Sequence, residues 1–131
     1  MQIEYTDDGI FLPEIGLWLD PRTGKEAAWL SHGHSDHARG AHTLAIGTSQ
    51  TLEIYRMRWG SSFQPGSRRW PVAFREPCEH RGARLTAFPA SHILGAAQLL
   101  VEYNGERVVY CGDIKRKQPL LGAATEIVPA D

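Results

Sequence analysis

Four side chains able to bind a metal ion fall within six residues, His32-x-His34-x-Asp36-His37, directly after the apolar run Ala27-Ala28-Trp29-Leu30. This juxtaposition constrains the fold more than any other feature, because it asks for a short buried strand that ends in a cluster of polar ligands. In an extended segment, residues two apart point the same way, so His32 and His34 can grip one ion. Asp36 and His37 come where the chain turns and are expected to face the other way, toward a second ion. Imidazole and carboxylate together suit zinc and also admit manganese or iron. Gly33 lets the backbone fold tightly there. The plain alternative is an exposed polar loop rich in histidine. Three of the six histidines of the chain lie in this one stretch, which weighs against it.

Two further candidates stand far along the chain. His92 follows the strand-like Arg84 to Phe88, in Pro89-Ala90-Ser91-His92-Ile93-Leu94-Gly95, and Asp113 follows Val108 to Cys111, in Tyr110-Cys111-Gly112-Asp113. Taken singly, a loop histidine and a turn aspartate explain them. Their shared position at strand C-terminal ends, where open sheets gather ligands, joins them to the first group.

The rest of the pattern is dominated by short strands. Residues 2–5, Ile10 to Leu12 and Gly16 to Leu19 read as an antiparallel meander, with Asp7-Asp8-Gly9 as a turn. Thr43 to Ile46 reads as another buried strand. Thr48 or Ser49 caps a helix over Leu52 to Trp59, which has Leu52, Tyr55 and Trp59 on one face. Ser61 to Pro71 reads as a loop and Val72 to Phe74 as strand-like. Gln98 to Tyr103 and Arg107 to Cys111 flank Asn104-Gly105, a strong hairpin signal. The tail beyond Ile114 shows no periodicity. Few helices and many short strands predict an α/β (α+β) domain over residues 1–131, with a mixed sheet carrying helices on one face.

The chain has 131 residues, 42% hydrophobic and 22% charged, enough for one modest core and against wholesale disorder. The net charge of −1 gives no overall bias toward nucleic acid. A local cluster exists, however: Arg56, Arg58, Arg68, Arg69, Arg75, Arg81 and Arg84, interleaved with Trp59 and Trp70. A solvated surface and packing explain these residues more simply than phosphate contact and base stacking do. The two cysteines, Cys78 and Cys111, form no framework and suggest a reducing compartment. No basic start precedes an apolar run, and none approaches the roughly 18 residues of a membrane span. A cytoplasmic protein is the expectation. His42 and His80 read as incidental, Cys111 as a small apolar strand residue, and Cys78 beside His80 as an unsupported metal pair.

The motifs resemble those of metallo-β-lactamase-fold hydrolases, in particular the β-CASP nucleases, and most of all the bacterial ligase-associated DNA exonucleases, relatives of messenger-RNA 3′-end processing factors. The resemblance runs from Gly9-Ile10-Phe11 to Gly112-Asp113-Ile114. It rests on an acidic residue after a strand, Asp20; the HxHxDH box at His32, His34, Asp36 and His37; His92, with Gly95 after it; and Asp113 after a strand and Gly112. His-Ile-Leu-Gly-Ala-Ala-Gln and Tyr-Cys-Gly-Asp-Ile favour the nuclease branch. The resemblance implies two zinc ions, manganese being the substitute. His32, His34 and His92 would hold one ion, Asp36 and His37 the other, and Asp113 would bridge both, which makes Asp36 and Asp113 the catalytic carboxylates. Asp20 would support the site through hydrogen bonds, although an Asp-Pro turn ending a strand accounts for it equally well. A metal-activated water would attack phosphorus in DNA or RNA, and DNA ligase or helicase-associated repair proteins would be the partners.

The fold so implied is an αββα sandwich, and no histidine follows His92 to supply the family's last ligand or its leaving-group histidine. The expectation is therefore the N-terminal portion of the sandwich, without the β-CASP insertion and the C-terminal half, and weak or inactive as an enzyme by itself. Two other readings compete: a non-catalytic metal-binding remnant, and a glyoxalase-like hydrolase of small esters or thioesters. The residues that would bind substrate are not legible.

Overall fold

The computed structural model describes residues 1–117 and 120–131, and the strands divide between two sheets packed face to face. The first sheet has six strands in sequence order: β1 (Glu4–Thr6), β2 (Gly9–Leu12), β3 (Leu17–Leu19), β4 (Ala27–Trp29), β5 (Leu44–Gly47) and β6 (Arg68–Pro71). The expected meander is present, with β1–β2 and β2–β3 antiparallel. From β3 onward the pairing is parallel, so this sheet is mixed. The second sheet is wholly antiparallel, in the order β10 (Glu106–Tyr110), β9 (Ala97–Tyr103), β8 (Ala83–Pro89) and β7 (Cys78–His80). Asn104 and Gly105 both take positive φ (49° and 82°), the backbone a two-residue hairpin turn requires.

Alternation along the strands sets the layers. Leu17, Leu19, Ala27, Trp29 and Ile46 of the first sheet meet Ala83, Leu85, Ala87, Leu99 and Val101 of the second in one buried core. The opposite face of the first sheet carries α1 (Ser49–Trp59), where Leu52 and Tyr55 pack on Leu30, Ala38 and Ala45. Thr48 caps the helix by accepting from the Thr51 amide at 3.3 Å, and helical geometry begins three residues before the apolar face. On the outer face of the second sheet, Gln98 Nε2 donates to the Glu126 carbonyl at 2.7 Å and ties down the C-terminal segment.

Two expectations differ from what is observed. Residues 68–71, expected as loop, form strand β6. Thr43 and Val72 extend that pairing by one bond at each end, because the Arg68 amide donates to the Thr43 carbonyl (2.7 Å) and the Val72 amide to the Gly47 carbonyl (2.9 Å). An edge strand paired on one side tolerates exposed arginines, and this hides it from a hydrophobic-pattern reading. Val72 to Phe74, expected as a strand, instead leaves the sheet, with only an isolated bridge from Phe74 to Ala87. Among the described residues no helix is long and apolar enough to cross a membrane.

Candidate metal centre

The site lies where the two sheets meet at the C-terminal ends of β3, β4, β8 and β10. Strands β8 and β10 both run antiparallel to β9, so they end on the same side. Three close approaches draw the loops after β4, β8 and β10 together. The Ala97 amide donates to the Ser31 carbonyl at 2.8 Å, and the Lys115 amide to the Ala90 carbonyl at 2.9 Å. Gly112, at φ 56°, sits so near Ser31 that a β-carbon would come within 2.6 Å of its side chain. The loop bearing His92 is in turn docked on the start of α1, where Thr48 Oγ1 donates to the Gly95 carbonyl at 2.7 Å.

These contacts bring His32, His34, His92 and Asp113 together, with one ligand atom from each lying within 4.8 Å of all the others. Asp113 Oδ2 stands 3.5 Å from His32 Nε2, 3.5 Å from His92 Nε2 and 3.6 Å from His37 Nε2. His92 Nε2 and His34 Nδ1 face each other at 3.0 Å. Asp36, mostly exposed, stands outside that group, its Oδ2 3.6 Å from His37 Nε2. Its carboxyl is held below the usual carboxylate range by its own backbone N–H. His42 and His80 lie apart from this cluster. His42 is fully buried and accepts from the Lys25 amide at 3.1 Å; His80 Nε2 is 3.0 Å from the Ile15 carbonyl.

Asp20 is the organising residue behind the cluster. Its Oδ1 accepts from the Ser31 amide (2.7 Å), and its Oδ2 from Ser31 Oγ (2.5 Å), His37 Nδ1 (2.7 Å) and Tyr110 Oη (2.9 Å). Asp20, His32 and His37 lie near enough to one another to suggest a second cation site, but four hydrogen bonds already occupy this carboxylate. Its chemistry here is to hold side chains in place. The single Ser31 hydroxyl proton goes to Asp20, so at 2.9 Å from His32 Nδ1 the Ser31 oxygen accepts the imidazole proton. That assigns the His32 tautomer: Nε2 is bare and points into the cluster. The Asp20–His37 bond leaves His37 Nε2 bare in the same way when the ring is neutral.

The donor set fits a divalent cation. His32 Nε2 is fully buried and has no hydrogen-bond partner among the described residues. A buried lone pair left unmatched is costly, and a cation is the partner its surroundings lack. Burial pushes the His32 imidazole down to about 4, which keeps it neutral and able to ligate. Burial also lowers His92, whereas the bond to Asp20 raises His37.

Comparison with known proteins agrees with the geometry. The family described as "Beta-lactamase superfamily domain" matches residues 21–129. The chain belongs to the β-lactamase superfamily. Its similarity runs to the β-CASP nuclease branch within that superfamily of hydrolases. It is 40% identical over 62 residues to cleavage and polyadenylation specificity factor subunit 3 of Dictyostelium discoideum, covering 46% of this chain and 8% of that protein. It is 31% identical over 112 residues to a probable DNA ligase of Opitutus terrae, covering 84% of this chain and 10% of that one. It is 40% identical over 48 residues to the endoribonuclease YSH1 of Mycosarcoma maydis, covering 37% of this chain and 6% of that protein. The matches therefore span a tenth or less of the length of these relatives. A crystal structure of a protein of unknown function from Enterococcus faecalis V583 shares the fold, with a TM-score of 0.53 at 18% identity, covering 72% of this chain and 25% of that one.

Sequence reasoning missed Ser31, Tyr110 and Arg58. Ser31 was signalled only by its place between a buried strand and His32, Tyr110 only as a polar-tipped aromatic at a strand end. Arg58 belongs to the arginine cluster, yet its guanidinium donates to the Gly33 (3.0 Å) and Ala38 (3.2 Å) carbonyls and so brackets the loop that carries His34, Asp36 and His37. Arg56, Arg75, Arg81 and Arg84 pair with Glu53, Glu126, Glu26 and Glu102, and Arg69 lies over the Phe63 ring at 4.9 Å. Trp59 and Trp70 pack against the two cores.

Proposed function

We propose that this chain supplies the metal-binding part of a phosphodiesterase that degrades DNA or RNA from an end, with two zinc ions at the cluster and manganese as the substitute. The observation that carries this reading is the convergence of His32, His34, His92 and Asp113 around a buried imidazole nitrogen without a partner. His32, His34 and His92 would hold one ion, Asp36 and His37 the other, and Asp113 both. When bound, the cations supply Lewis acidity: positive charge for the phosphate oxygens and a lowered pKa for water.

The protein's own residues do the rest. Asp20, through Ser31 and His37, keeps the two Nε2 atoms bare and aimed. The ionised and exposed Asp36 is the carboxylate best placed to accept a proton from the attacking water. Among the described residues a second ion would have only His37, Asp36 and Asp113 to hold it, and would be held more loosely than the first. The likeness to a probable DNA ligase supports DNA-repair partners such as a ligase or a helicase-associated protein.

The test is zinc-dependent release of mononucleotides from an end-labelled oligonucleotide by the purified chain. Slow release that stops on chelation and on His34→Ala is the expected result. A zinc-loaded chain that hydrolyses a thioester but no phosphodiester overturns the reading in favour of the glyoxalase-like one.

A further inference from the structure

Beside the cluster lies a cleft of about 470 Å³ whose lining includes Asp20, Arg22, Asp36, His37, Arg39 and Tyr110. Two of these, Arg22 and Arg39, play no part in the centre described above. We propose that they form a phosphate subsite, holding the sugar-phosphate backbone next to the bond that is cleaved. The inference rests on the phosphodiesterase reading and extends it to substrate binding.

Three observations carry it. First, the Arg39 guanidinium is mounted on the backbone of Arg22. Arg39 Nε donates to the Arg22 carbonyl at 3.0 Å, which leaves the terminal nitrogens of Arg39 for another acceptor, while the Arg22 amide is pinned to the Asp8 carbonyl at 2.8 Å. Second, the segments that bear them are pressed backbone to backbone. A β-carbon on Gly24 would lie 2.5 Å from the Ala41 carbonyl oxygen, and one on Gly40 would lie 2.8 Å from the Thr23 carbonyl carbon. The two backbone segments and the Arg39 side chain are thus positioned before any ligand arrives, which lowers the ordering cost of binding, while the exposed Arg22 side chain reaches in from a fixed base. Third, among the described residues no carboxylate lies within ion-pair distance of either guanidinium. By contrast, four members of the sequence's arginine cluster are engaged with glutamates.

Guanidinium forks match phosphate oxygens in geometry and charge. The same cleft is lined by Asp36 and His37 of the candidate second-ion site, so an anion gripped here lies alongside the reacting position. A polyanionic strand satisfies both positions at once, whereas a small neutral ester has nothing to offer the arginines. That makes Arg22 and Arg39 determinants of preference for nucleic acid over small substrates.

The experiment has two arms. In one, the wild-type chain loaded with zinc is given bis(p-nitrophenyl) phosphate, which carries a single phosphate and reports on the phosphodiesterase reading alone. In the other, binding of a short fluorescein-labelled oligothymidylate is followed by anisotropy against salt, with zinc and in chelator, for wild type, Arg22→Gln/Arg39→Gln and Arg22→Lys/Arg39→Lys. The glutamine pair is expected to weaken binding roughly tenfold or more and to lower the slope of log affinity against log salt by about 1.4, the amount two lost contacts to a single strand give. The lysine pair restores much of that slope. If loss of the Arg39 Nε bond unsettles the fold, Arg22→Gln alone, an exposed side chain, is expected to lower the slope by about 0.7. Equal affinity and equal slope for the wild type and its glutamine variants overturn the subsite, as does a wild type that binds no oligonucleotide. Inactivity in the first arm with the expected result in the second fails the hydrolase reading and leaves the anion subsite standing.

Discussion

His32 and His37 stand five residues apart in one motif and lean on the same carboxylate, yet they end in opposite states. His32 is fully buried; its link to Asp20 runs through Ser31, and burial pushes it down to about 4. His37 is partly exposed, bonds Asp20 directly at 2.7 Å, and is raised by that bond. The difference extends to the two ends of the cluster. The His32 end is built into the core, with its hydrogen bonds supplied by the protein and one nitrogen left for a cation. The His37 end opens with Asp36 and Asp113 onto solvent, although His37 itself is held by Asp20. On the proposed reading, a cation at the His32 end would be held more firmly than one at the His37 end.

Removing the shared carboxylate should break the comparison most severely. Asp20→Ala leaves the Ser31, His37 and Tyr110 donors without their shared acceptor, and is expected to cost about 3 to 5 kcal/mol in denaturant unfolding. The same change should lower zinc affinity by roughly 10- to 100-fold at both ends. An effect on one end alone would show that Asp20 does not serve both histidines.

Acid should separate buried from open histidines in the metal-free chain. His32 and His42 are both held down at about 4 by burial, while in the unfolded chain they return to about 6.5. Between those values the unfolded state binds more protons, so stability is complete above about 6.5 and is lost as the pH falls toward 4. The loss is on the order of 2 to 3 kcal/mol for each. His37 works the other way: its contribution is full below its unfolded value and fades as the pH rises through its raised folded value. Urea midpoints measured from pH 4 to 8 read the balance, and a midpoint that rises on acidification through this window would contradict it.

A smaller effect is expected at the loop between the two ends. Arg58→Met removes the two donors on the Gly33 and Ala38 carbonyls, with a loss of about 1 to 2 kcal/mol. Zinc titration should show a weaker first site, because His34 sits on that loop; unchanged affinity would make Arg58 a purely structural latch. Smallest of all, Asp36→Asn at the exposed end should move stability by no more than about 0.5 kcal/mol while weakening only the second ion, as competition with a chelator would show.

Much of this was legible in the chain. The HxHxDH box and the apolar run before it placed three imidazoles and a carboxylate at a strand end, and Asn104-Gly105 marked the hairpin that sends β10 back toward them. The box could not show that His34 and His92 face each other, which depends on the Ala97 amide reaching the Ser31 carbonyl across two sheets. Nor could it show Tyr110 on Asp20, separated by ninety residues. Strand β6 stayed hidden because its register comes from β5, while two of its four side chains are arginine and three of the four are exposed. Local periodicity reports what a segment buries. It does not report which distant backbone groups complete its hydrogen bonds.

The most direct test is a crystal of the chain equilibrated with zinc, with the ion located by its anomalous scattering. A peak is expected at bonding distance, about 2.0–2.2 Å, from His32 Nε2, His34 Nδ1, His92 Nε2 and Asp113. Zinc held elsewhere, or a folded chain that leaves His32 Nε2 without a metal, would contradict it.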